Sequence, residues 1–471
     1  MGIFFTNGET KKRAGVYQRY ENVGTAQAAG AVNGIAAAVI QANWGPLGSV
    51  RILDNAAFAS EVFGTAGTVE VLEELFHGGA SVVKAVRAGT GGTKGTVKLK
   101  DTASSAADAV KMETKYVGDR QFQYTIQTAG DGKELTIYEN NVPVEKISFS
   151  ANGGQEADAL INAGKTSKFF DFTKETGYSG TGAIALVETA ADITKGTNPS
   201  LPSKSDYSAA FSLLEPHRWN VICVDTVDTE VHGALAEFLT RAYQDGTMAF
   251  GVIGEPLSVA LDTRLADAKA YNDYKIVYVG GGYMAGEKLV DGYLAAARVA
   301  GMIASVPSSQ SITHNTVSGA TDIAELLTNS QYEQTITNGM LTFSMSSNGN
   351  VWVEAGITTL NNPQGEDDEG WKKIKRTKIR FELMNRVSDT IEPMIGKINN
   401  NADGQANVIQ AVGDLLDTMV AENKLLQGAS VQLDPSNPPA GDSAWFIINA
   451  DDVDALEKTY FNFKFQFAPQ A

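Results

Sequence analysis

Strands and helices alternate three times between residues 219 and 303, and this alternation restricts the fold more than any other feature of the chain. The predicted strands are at 220–224, 248–253 and 274–279, and the predicted helices are at 229–244, 256–270 and 287–303. Each strand is a short apolar run, and the helices carry apolar residues on one face. Three such units in succession indicate a mainly parallel sheet with helices packed on it.

The same alternation begins near the N-terminus. Residues 35–40 form an apolar, alanine-rich run that is typical of a strand buried on both faces. Helical patterns at 55–63 and 67–77 precede a second strand at 81–87. We therefore predict one α/β core domain, built from residues 26–95 and 201–364.

Residues 96–200 differ from this core, because their segments are shorter and more polar. A glycine-rich stretch at 89–95 precedes them and is typical of a flexible hinge. The pair Asp131-Gly132 marks a hairpin between strands at 121–128 and 134–138. Further strands are predicted at 143–150 and 182–187, with a helix at 156–163. We predict that 96–200 form a β-rich outer domain inserted into the α/β core.

The chain changes character again after an acidic loop at 365–370. The predicted elements are a basic strand at 372–381, a helix from about residue 383, a second helix at 405–426, and strands at 430–433 and 444–449. Together they predict an α+β assembly domain at 365–456.

The last strand pattern, at 458–467, places four phenylalanines on one side and polar residues on the other. No partner strand follows it. The pattern leaves two interpretations open: the segment completes a sheet of its own subunit, or it adds a strand to a neighbouring subunit. Residues 13–23 form a second extended segment with the same two alternatives.

Motifs that would indicate catalysis or ligand binding are incomplete. Gly280-Gly281-Gly282 follows a strand, but its spacing is wrong for a dinucleotide-binding loop. Gly164-Lys165-Thr166 lacks the first glycine of a phosphate-binding loop, which favours a helix end. The segment 399–410 begins like a calcium loop, but Gln410 stands where a glutamate is required, which favours a turn. The four histidines form no close ligand pair. We therefore predict no cofactor, no metal and no enzymatic activity.

Composition limits the partners of the chain. Its 38 basic and 55 acidic residues give a formal charge of −17, which disfavours a DNA-coating role. The single cysteine, Cys223, lies in an apolar run and is expected to be buried and unreactive. No apolar stretch approaches the length of a membrane span, and the first residues do not resemble a signal peptide. We expect a soluble protein that is made in a cytoplasm.

One positive cluster stands out, in the predicted basic strand. It comprises Lys372, Lys373, Lys375, Arg376, Lys378 and Arg380. Such a run is usually a solvated face, and the preceding acidic loop favours its neutralisation. Few aromatic residues are interleaved, so nucleic-acid binding is weakly supported. Contact with a complementary protein surface has at least as much support.

Several short motifs, taken in order, resemble the tail sheath proteins of contractile-tailed bacteriophages, defective phages and phage-tail-like bacteriocins. They are Ala14-Gly15-Val16-Tyr17, Trp44-Gly45-Pro46, residues 304–313, Gly356-Ile357-Thr358-Thr359-Leu360, Lys378-Ile379-Arg380, residues 395–400 and the terminal strand. Ala14 and Thr358 depart from the usual proline and asparagine of the family. The resemblance covers the α/β core and the C-terminal region but not residues 96–200.

The resemblance implies a structural role. Such subunits form hexameric rings that stack as a helical sheath around a tail tube protein, with baseplate and tail terminator proteins as further partners. Their arms add strands to neighbouring subunits, and contraction drives the tube through a bacterial envelope. The implied location is a virion tail or tail-like particle assembled in the host cytoplasm, without direct nucleic-acid contact or membrane insertion. A soluble α/β enzyme, either a hydrolase or a nucleotide-dependent one, and a non-contractile shell protein are the alternatives.

On this resemblance, residues 1–25 and 457–471 are extended arms. The residues expected to pair with neighbouring subunits are Val16, Tyr17, Arg19, Tyr20, Tyr460, Phe461, Phe463, Phe465 and Phe467. The candidates for facing the tube are Lys372, Lys375, Arg376, Lys378 and Arg380.

Overall fold

A computed structural model of the chain describes residues 3–4, 17–18, 34–151, 154–365 and 367–465. Two short strands near the N-terminus, Ile3–Phe4 (β1) and Tyr17–Gln18 (β2), pair in parallel with each other. Tyr17 of the predicted N-terminal arm therefore lies in β2. Val16, Arg19 and Tyr20 lie outside the described residues.

A seven-stranded sheet forms the centre of the fold, and its first elements come from residues 35–87. They are β3 (Ile35–Ile40), β4 (Val50–Leu53), α1 (Ala56–Phe63), α2 (Glu70–His77) and β5 (Val82–Arg87). β3 pairs in parallel with β5, and β4 pairs antiparallel with β5 at the edge of the sheet. The predicted elements are confirmed, and β4 is added to them.

Residues 96–192 form two smaller antiparallel sheets. Their elements are β6 (Thr96–Lys100), β7 (Asp108–Thr114), β8 (Gln123–Ala129), β9 (Gly132–Glu139), β10 (Val142–Ser150), α3 (Glu156–Gly164), β11 (Phe170–Lys174) and β12 (Val187–Asp192). The sheet orders are β10-β9-β8-β12 and β11-β7-β6. The hairpin at Asp131-Gly132 is confirmed, since Ala129 pairs with Gly132. The strand predicted at 182–187 is wrong, because within that range Ile184 forms only an isolated bridge before β12 begins.

These two sheets share one hydrophobic cluster, and Trp44 of the α/β core domain packs into it. Trp44, from the turn after β3, lies 5.3 Å from Tyr116 and 5.5 Å from Phe122 between ring centroids. Arg87, at the end of β5, donates a hydrogen bond of 2.9 Å to the carbonyl of Val117. Residues 96–200 thus contact the α/β core through buried groups, while their status as a separate domain remains a prediction.

The chain then returns to the central sheet. The elements that follow are α4 (Lys204–Leu214), β13 (Val221–Val224), α5 (Thr229–Gln244), β14 (Phe250–Gly254), α6 (Leu261–Tyr271), β15 (Ile276–Val279), β16 (Tyr283–Ala285), β17 (Lys288–Val290), α7 (Gly292–Ser305), β18 (Asp322–Ile323), α8 (Asn329–Thr337), β19 (Met340–Leu341), β20 (Phe343–Met345) and β21 (Val351–Val353). The order of the central sheet is β19-β15-β14-β13-β3-β5-β4. Its neighbouring strands are parallel except for β4 and β5, which confirms the predicted mainly parallel sheet.

Two predictions in this half of the core are wrong in detail. A helix was expected from residue 287, but α7 begins at Gly292 because β16 and β17 pair as a hairpin before it. The sequence also predicts a short helix that ends at 324–329, where the described chain has none, and a helix at 331–338, which is confirmed as α8 with Thr328 as its N-cap.

The alanine-rich strand β3 is buried on both faces, as predicted. Ala36 and Ala38 belong to the hydrophobic core on one side of the sheet, and Ala37 and Val39 to the core on the other. Small side chains suit this position because helices press on the strand from both sides. Cys223, in β13, is also fully buried. None of the helices within the described ranges combines the length and apolar character needed to cross a lipid bilayer.

The C-terminal region consists of two long helices and a hairpin. Its elements are the 3₁₀ turns Glu369–Lys372 and Glu392–Met394, α9 (Ile374–Ile391), α10 (Ala402–Ala421), β22 (Ser430–Leu433) and β23 (Phe446–Asn449). The basic strand predicted at 372–381 is wrong, because Lys372 ends a 3₁₀ turn and residues 374–381 form the start of α9. Ile374 and Phe381 are seven residues apart and share a helix face that packs on the α/β core, whereas Ile379 packs on α10. Only a helix can bury Ile374 and Phe381 on one side and Ile379 on the other.

A candidate assembly surface

The chain leaves the fold after residue 453 as an exposed apolar segment. Within residues 454–465, no residue pairs with a strand of the described chain. The exposed fractions of the apolar side chains are 85% for Leu456, 89% for Tyr460, 76% for Phe461, 76% for Phe463 and 93% for Phe465. Consecutive large apolar side chains at such exposure are unusual on a monomer and mark an interaction surface.

The phenylalanines of this segment lie on one side, as the alternating pattern predicts. The ring centroids of Phe461 and Phe463 are 6.3 Å apart, and those of Phe463 and Phe465 are 6.4 Å apart. This spacing follows from an extended backbone, in which every second side chain points the same way. Phe467 lies outside the described residues.

Acidic residues just before this segment and at its beginning bind basic residues at the N-terminal end of α9. Asp452 accepts hydrogen bonds from Arg376 and from Arg380, the latter with a 2.9 Å Nη2–Oδ1 distance. The Lys373 ammonium lies 2.8 Å from a carboxylate oxygen of Asp454 and 2.9 Å from one of Glu457. We call Lys373, Arg376, Arg380, Asp452, Asp454 and Glu457 the root clamp.

The root clamp is partly shielded from water. Asp452 has only 6% of its side chain exposed. Burial raises its pKa, but the hydrogen bonds from Arg376 and Arg380 outweigh this effect and hold the pKa below its ordinary value. Glu457 also accepts hydrogen bonds from the hydroxyls of Ser311, at 3.1 Å, and Thr313, at 2.9 Å. The C-terminal segment is thus fixed both to α9 and to the loop after α7.

The residues predicted to face a tube have different environments. Lys375 and Lys378 are buried, and the Lys378 ammonium donates hydrogen bonds to the carbonyls of Ile303 and Val306 at the end of α7. This burial lowers the pKa of Lys378 to about 7. Lys372 remains near the surface and forms an ion pair of 2.8 Å with Glu369.

An apolar groove of about 660 Å³ lies at the other end of α9. It runs between α9, α10 and the hairpin of β22 and β23, and its apolar lining includes Val387, Ile391, Ile395, Val408, Val431, Trp445, Phe446 and Ile448. Within the described residues, β22 and β23 pair only with each other. Each strand therefore presents an unpaired edge next to the groove.

A buried carboxylate occupies the position of the central sheet that is most favourable for a ligand. In an open α/β sheet, ligands bind where the strand order reverses, at the carboxyl ends of the strands. Here that position lies between β3 and β13, and the buried carboxylate of Asp225 fills it. Asp225 accepts hydrogen bonds from the hydroxyls of Thr68 and Tyr207 and from the amide of Gln41, the last at 2.6 Å. Burial raises the pKa of Asp225. These contacts satisfy the buried carboxylate of Asp225 within the subunit.

The incomplete motifs have structural roles in the described chain. Gly164 ends α3, and Asn401 caps α10 by accepting a hydrogen bond from the amide of Gly404 at 2.9 Å. Gly281 packs against Thr342, where a side chain would collide. The predicted helix end and turn are thus confirmed.

Two family models match the chain. The phage tail sheath protein central domain matches residues 202–359, and the phage tail sheath C-terminal domain matches residues 366–466. Together they cover more than half of the 471 residues. The chain belongs to the phage tail sheath protein family. The resemblance drawn from its motifs is confirmed, and membership of this structural family favours a non-enzymatic role.

Other sheath proteins share the fold over nearly their whole length. The sheath tail protein of Desulfitobacterium hafniense superposes with a TM-score of 0.71 at 16% identity, covering 93% of this chain and 100% of that one. The helical sheath of the anti-feeding prophage, in its contracted state, superposes with a TM-score of 0.54 at 11% identity, covering 97% and 99%. The uncharacterised protein YqbK of Bacillus subtilis strain 168 is 23% identical over 98% of this sheath protein and 99% of its own length.

Sequence patterns did not reveal the groove or the carboxylates of the root clamp. Asp452 and Asp454 lie 72 and 81 positions from their partners Arg380 and Lys373. The available signal was a cluster of four acidic residues within 451–457, just before the aromatic residues.

Proposed function

We propose that this subunit polymerises into hexameric rings that stack as a helical sheath around a tail tube, and that the sheath contracts to drive the tube through a bacterial envelope. The arms at 1–25 and 457–471 add strands to neighbouring subunits. One observation carries the proposal: the aromatic stripe of Phe461, Phe463 and Phe465 is exposed and unpaired within the described chain. Burial of this surface in another copy would stabilise an assembly.

The other partners follow from this arrangement. A tail tube protein occupies the interior, and baseplate and tail terminator proteins meet the two ends of the sheath. The particle assembles in the host cytoplasm, without direct nucleic-acid contact or membrane insertion. We further propose that contraction draws on free energy stored during assembly, with the contracted sheath as the more stable of two arrangements.

The acceptor that we propose for the C-terminal arm is the groove beside β22 and β23, and its occupant is residues 459–465 of a second copy. The apolar lining of the groove suits one face of an alternating aromatic strand. The open edge of the hairpin supplies backbone hydrogen bonds to the same strand. A single segment would then fill the apolar groove and pair with the open edge of the hairpin.

Truncation after Glu457 tests this proposal without disturbing the root clamp. Residues 458–465 contribute no strand pairing to the described fold, so the truncated subunit should keep its circular dichroism spectrum and remain monomeric in sedimentation. The exchange of Leu326, which is 88% exposed and outside the groove, for Ser serves as the control and should still assemble. Loss of the fold on truncation would show that the segment belongs to its own subunit.

A mixing experiment distinguishes exchange from self-insertion. Ile395 lines the groove and is 70% exposed, so Ile395→Asp should block the groove without unfolding the subunit. The truncated protein keeps its groove, and the Ile395→Asp protein keeps its arm. Exchange predicts that the two proteins associate with each other more tightly than either associates with itself, as measured by light scattering after size exclusion. No association in the mixture would contradict the proposed contact.

Tube contact through the basic start of α9 is a further part of the proposal. Lys372, Lys375, Arg376, Lys378 and Arg380 are its candidates. The physical reason for proposing this contact is charge complementarity between these residues and the tube. Loss of tube decoration after charge reversal would support the contact, and unchanged decoration would refute it.

A further inference from the structure

The root clamp also determines where the C-terminal arm begins. Of its three basic residues, Arg376 and Arg380 are four residues apart on one face of α9, and Lys373 immediately precedes the helix. In the C-terminal segment, Asp452 pairs with Arg380 and Arg376, whereas Glu457 pairs with Lys373. The segment therefore runs antiparallel to α9, towards the N-terminus of the helix.

This direction leads away from the subunit's own groove. The groove begins at Val387, about 14 residues or about 21 Å along α9 from Lys373. Residues 458–467, fully extended, span about 33 Å. An arm that starts at Lys373 and doubles back would thus keep only about 12 Å, or about four residues, for the groove.

Without the contacts of Asp454 and Glu457, the arm would begin next to Arg380. Backbone hydrogen bonds from Leu426 to Asp451 and from Val453 to Lys424 would still hold the preceding residues. The groove would then be only about 10 Å away along α9, and residues 454–467 could span about 46 Å. The whole aromatic stripe would reach the groove of its own subunit.

Insertion of the arm into the groove of its own subunit would then be favoured over exchange with a second copy. A tethered segment within reach of its site has an effective concentration on the order of millimolar, far above the micromolar concentrations at which separate subunits meet. We infer that the root clamp is an anti-self-insertion device: it fixes the arm at the end of α9 distant from the groove, so that the arm is available to a second copy. This inference rests on the proposed exchange of arms.

Cysteine cross-linking tests the inference. Asn462→Cys places a thiol in the arm and Ser443→Cys places one in the groove, while the native Cys223 is buried and does not interfere. The clamp is released by Asp454→Ala/Glu457→Ala, and Lys373→Met is a milder second variant. Glu369→Ala/Lys372→Ala is the matched control, because it removes an ion pair in the 3₁₀ turn before α9, outside the clamp.

The clamp and the proposed function make different predictions on non-reducing gels. With the clamp intact, and in the control, the cross-links should join separate subunits. Release should shift the ratio towards cross-links within one subunit by roughly tenfold or more, as expected when charge-assisted hydrogen bonds are lost. Cross-links between subunits in all variants would overturn the clamp inference alone. Absence of such cross-links with the clamp intact would overturn the exchange itself.

Discussion

Replacing Phe463 by alanine separates the stability of the subunit from the stability of its assembly. Phe463 sits in the middle of the exposed stripe, between Phe461 and Phe465, and contacts little else. With 76% of its surface exposed, the side chain adds little to the folded subunit. The free energy of unfolding should therefore change by no more than about 0.5 kcal/mol, the usual range for surface positions.

Assembly should respond much more strongly. Complete burial of a phenylalanine side chain is worth about 1.5–3 kcal/mol. Because 76% of Phe463 is exposed in the subunit, the proposed burial in the groove of a second copy would add about three quarters of this value, or about 1–2 kcal/mol. Each 1.4 kcal/mol corresponds to a tenfold change in the dissociation constant, so Phe463→Ala should weaken each contact roughly 5- to 30-fold.

The assay is the subunit concentration at which light scattering first reports polymer, measured beside a denaturant unfolding curve. Lys464→Ala is the matched control, because Lys464 lies in the same segment on the opposite side of the strand. It should change the assembly threshold far less than Phe463→Ala. Equal losses of unfolding free energy and of assembly would refute the reasoning, since they would place Phe463 in the core of its own subunit.

Two further predictions concern the body of the subunit. Trp44→Ala should lower the free energy of unfolding by about 3–5 kcal/mol in a denaturant titration, because Trp44 is 2% exposed within an aromatic core; a loss below about 1 kcal/mol would contradict this role. The variant Lys378→Met tests how the stability of the subunit depends on pH. Burial lowers the pKa of Lys378 from 10.5 to about 7. Between these two pH values the native subunit therefore binds fewer protons than the unfolded chain. Its contribution to stability therefore rises with pH across that window, and the unfolding free energy of the native protein relative to Lys378→Met should be higher at pH 9 than at pH 7; no difference would contradict the shift.

The parallel sheet was predictable because its signals are local. β3 contains no polar residue, so both of its faces have to be covered. α5 repeats Val231, Leu235 and Phe238 at helical spacing, and all three are buried. The hairpin at Asp131-Gly132 follows from turn chemistry in the same way. Each of these elements is specified within about a dozen neighbouring residues.

α9 shows where local signals fail. Ile374, Thr377, Ile379 and Phe381 give the stretch the composition of a strand. Its helix is decided by two cores that lie on different sides of it, one in the central sheet and one against α10. The chain supplies those cores from residues far away in sequence, and the groove and the root clamp depend on the same distant contacts. Periodicity therefore identified the aromatic stripe but neither the root clamp nor the groove.

The internal use of basic residues on α9 changes how tube contact has to be tested. Arg376 belongs to the root clamp, so charge reversal at Lys375 and Arg376 would release the arm as well as remove any contact with a tube. Loss of decoration would then have two explanations. Lys372 has no part in the clamp, and its ion pair with Glu369 lies at the surface, where such a pair is worth only about 0–1 kcal/mol. Its charge is therefore available to a partner at small cost, and Lys372→Glu is the substitution that separates binding of the tube from exchange of the arm.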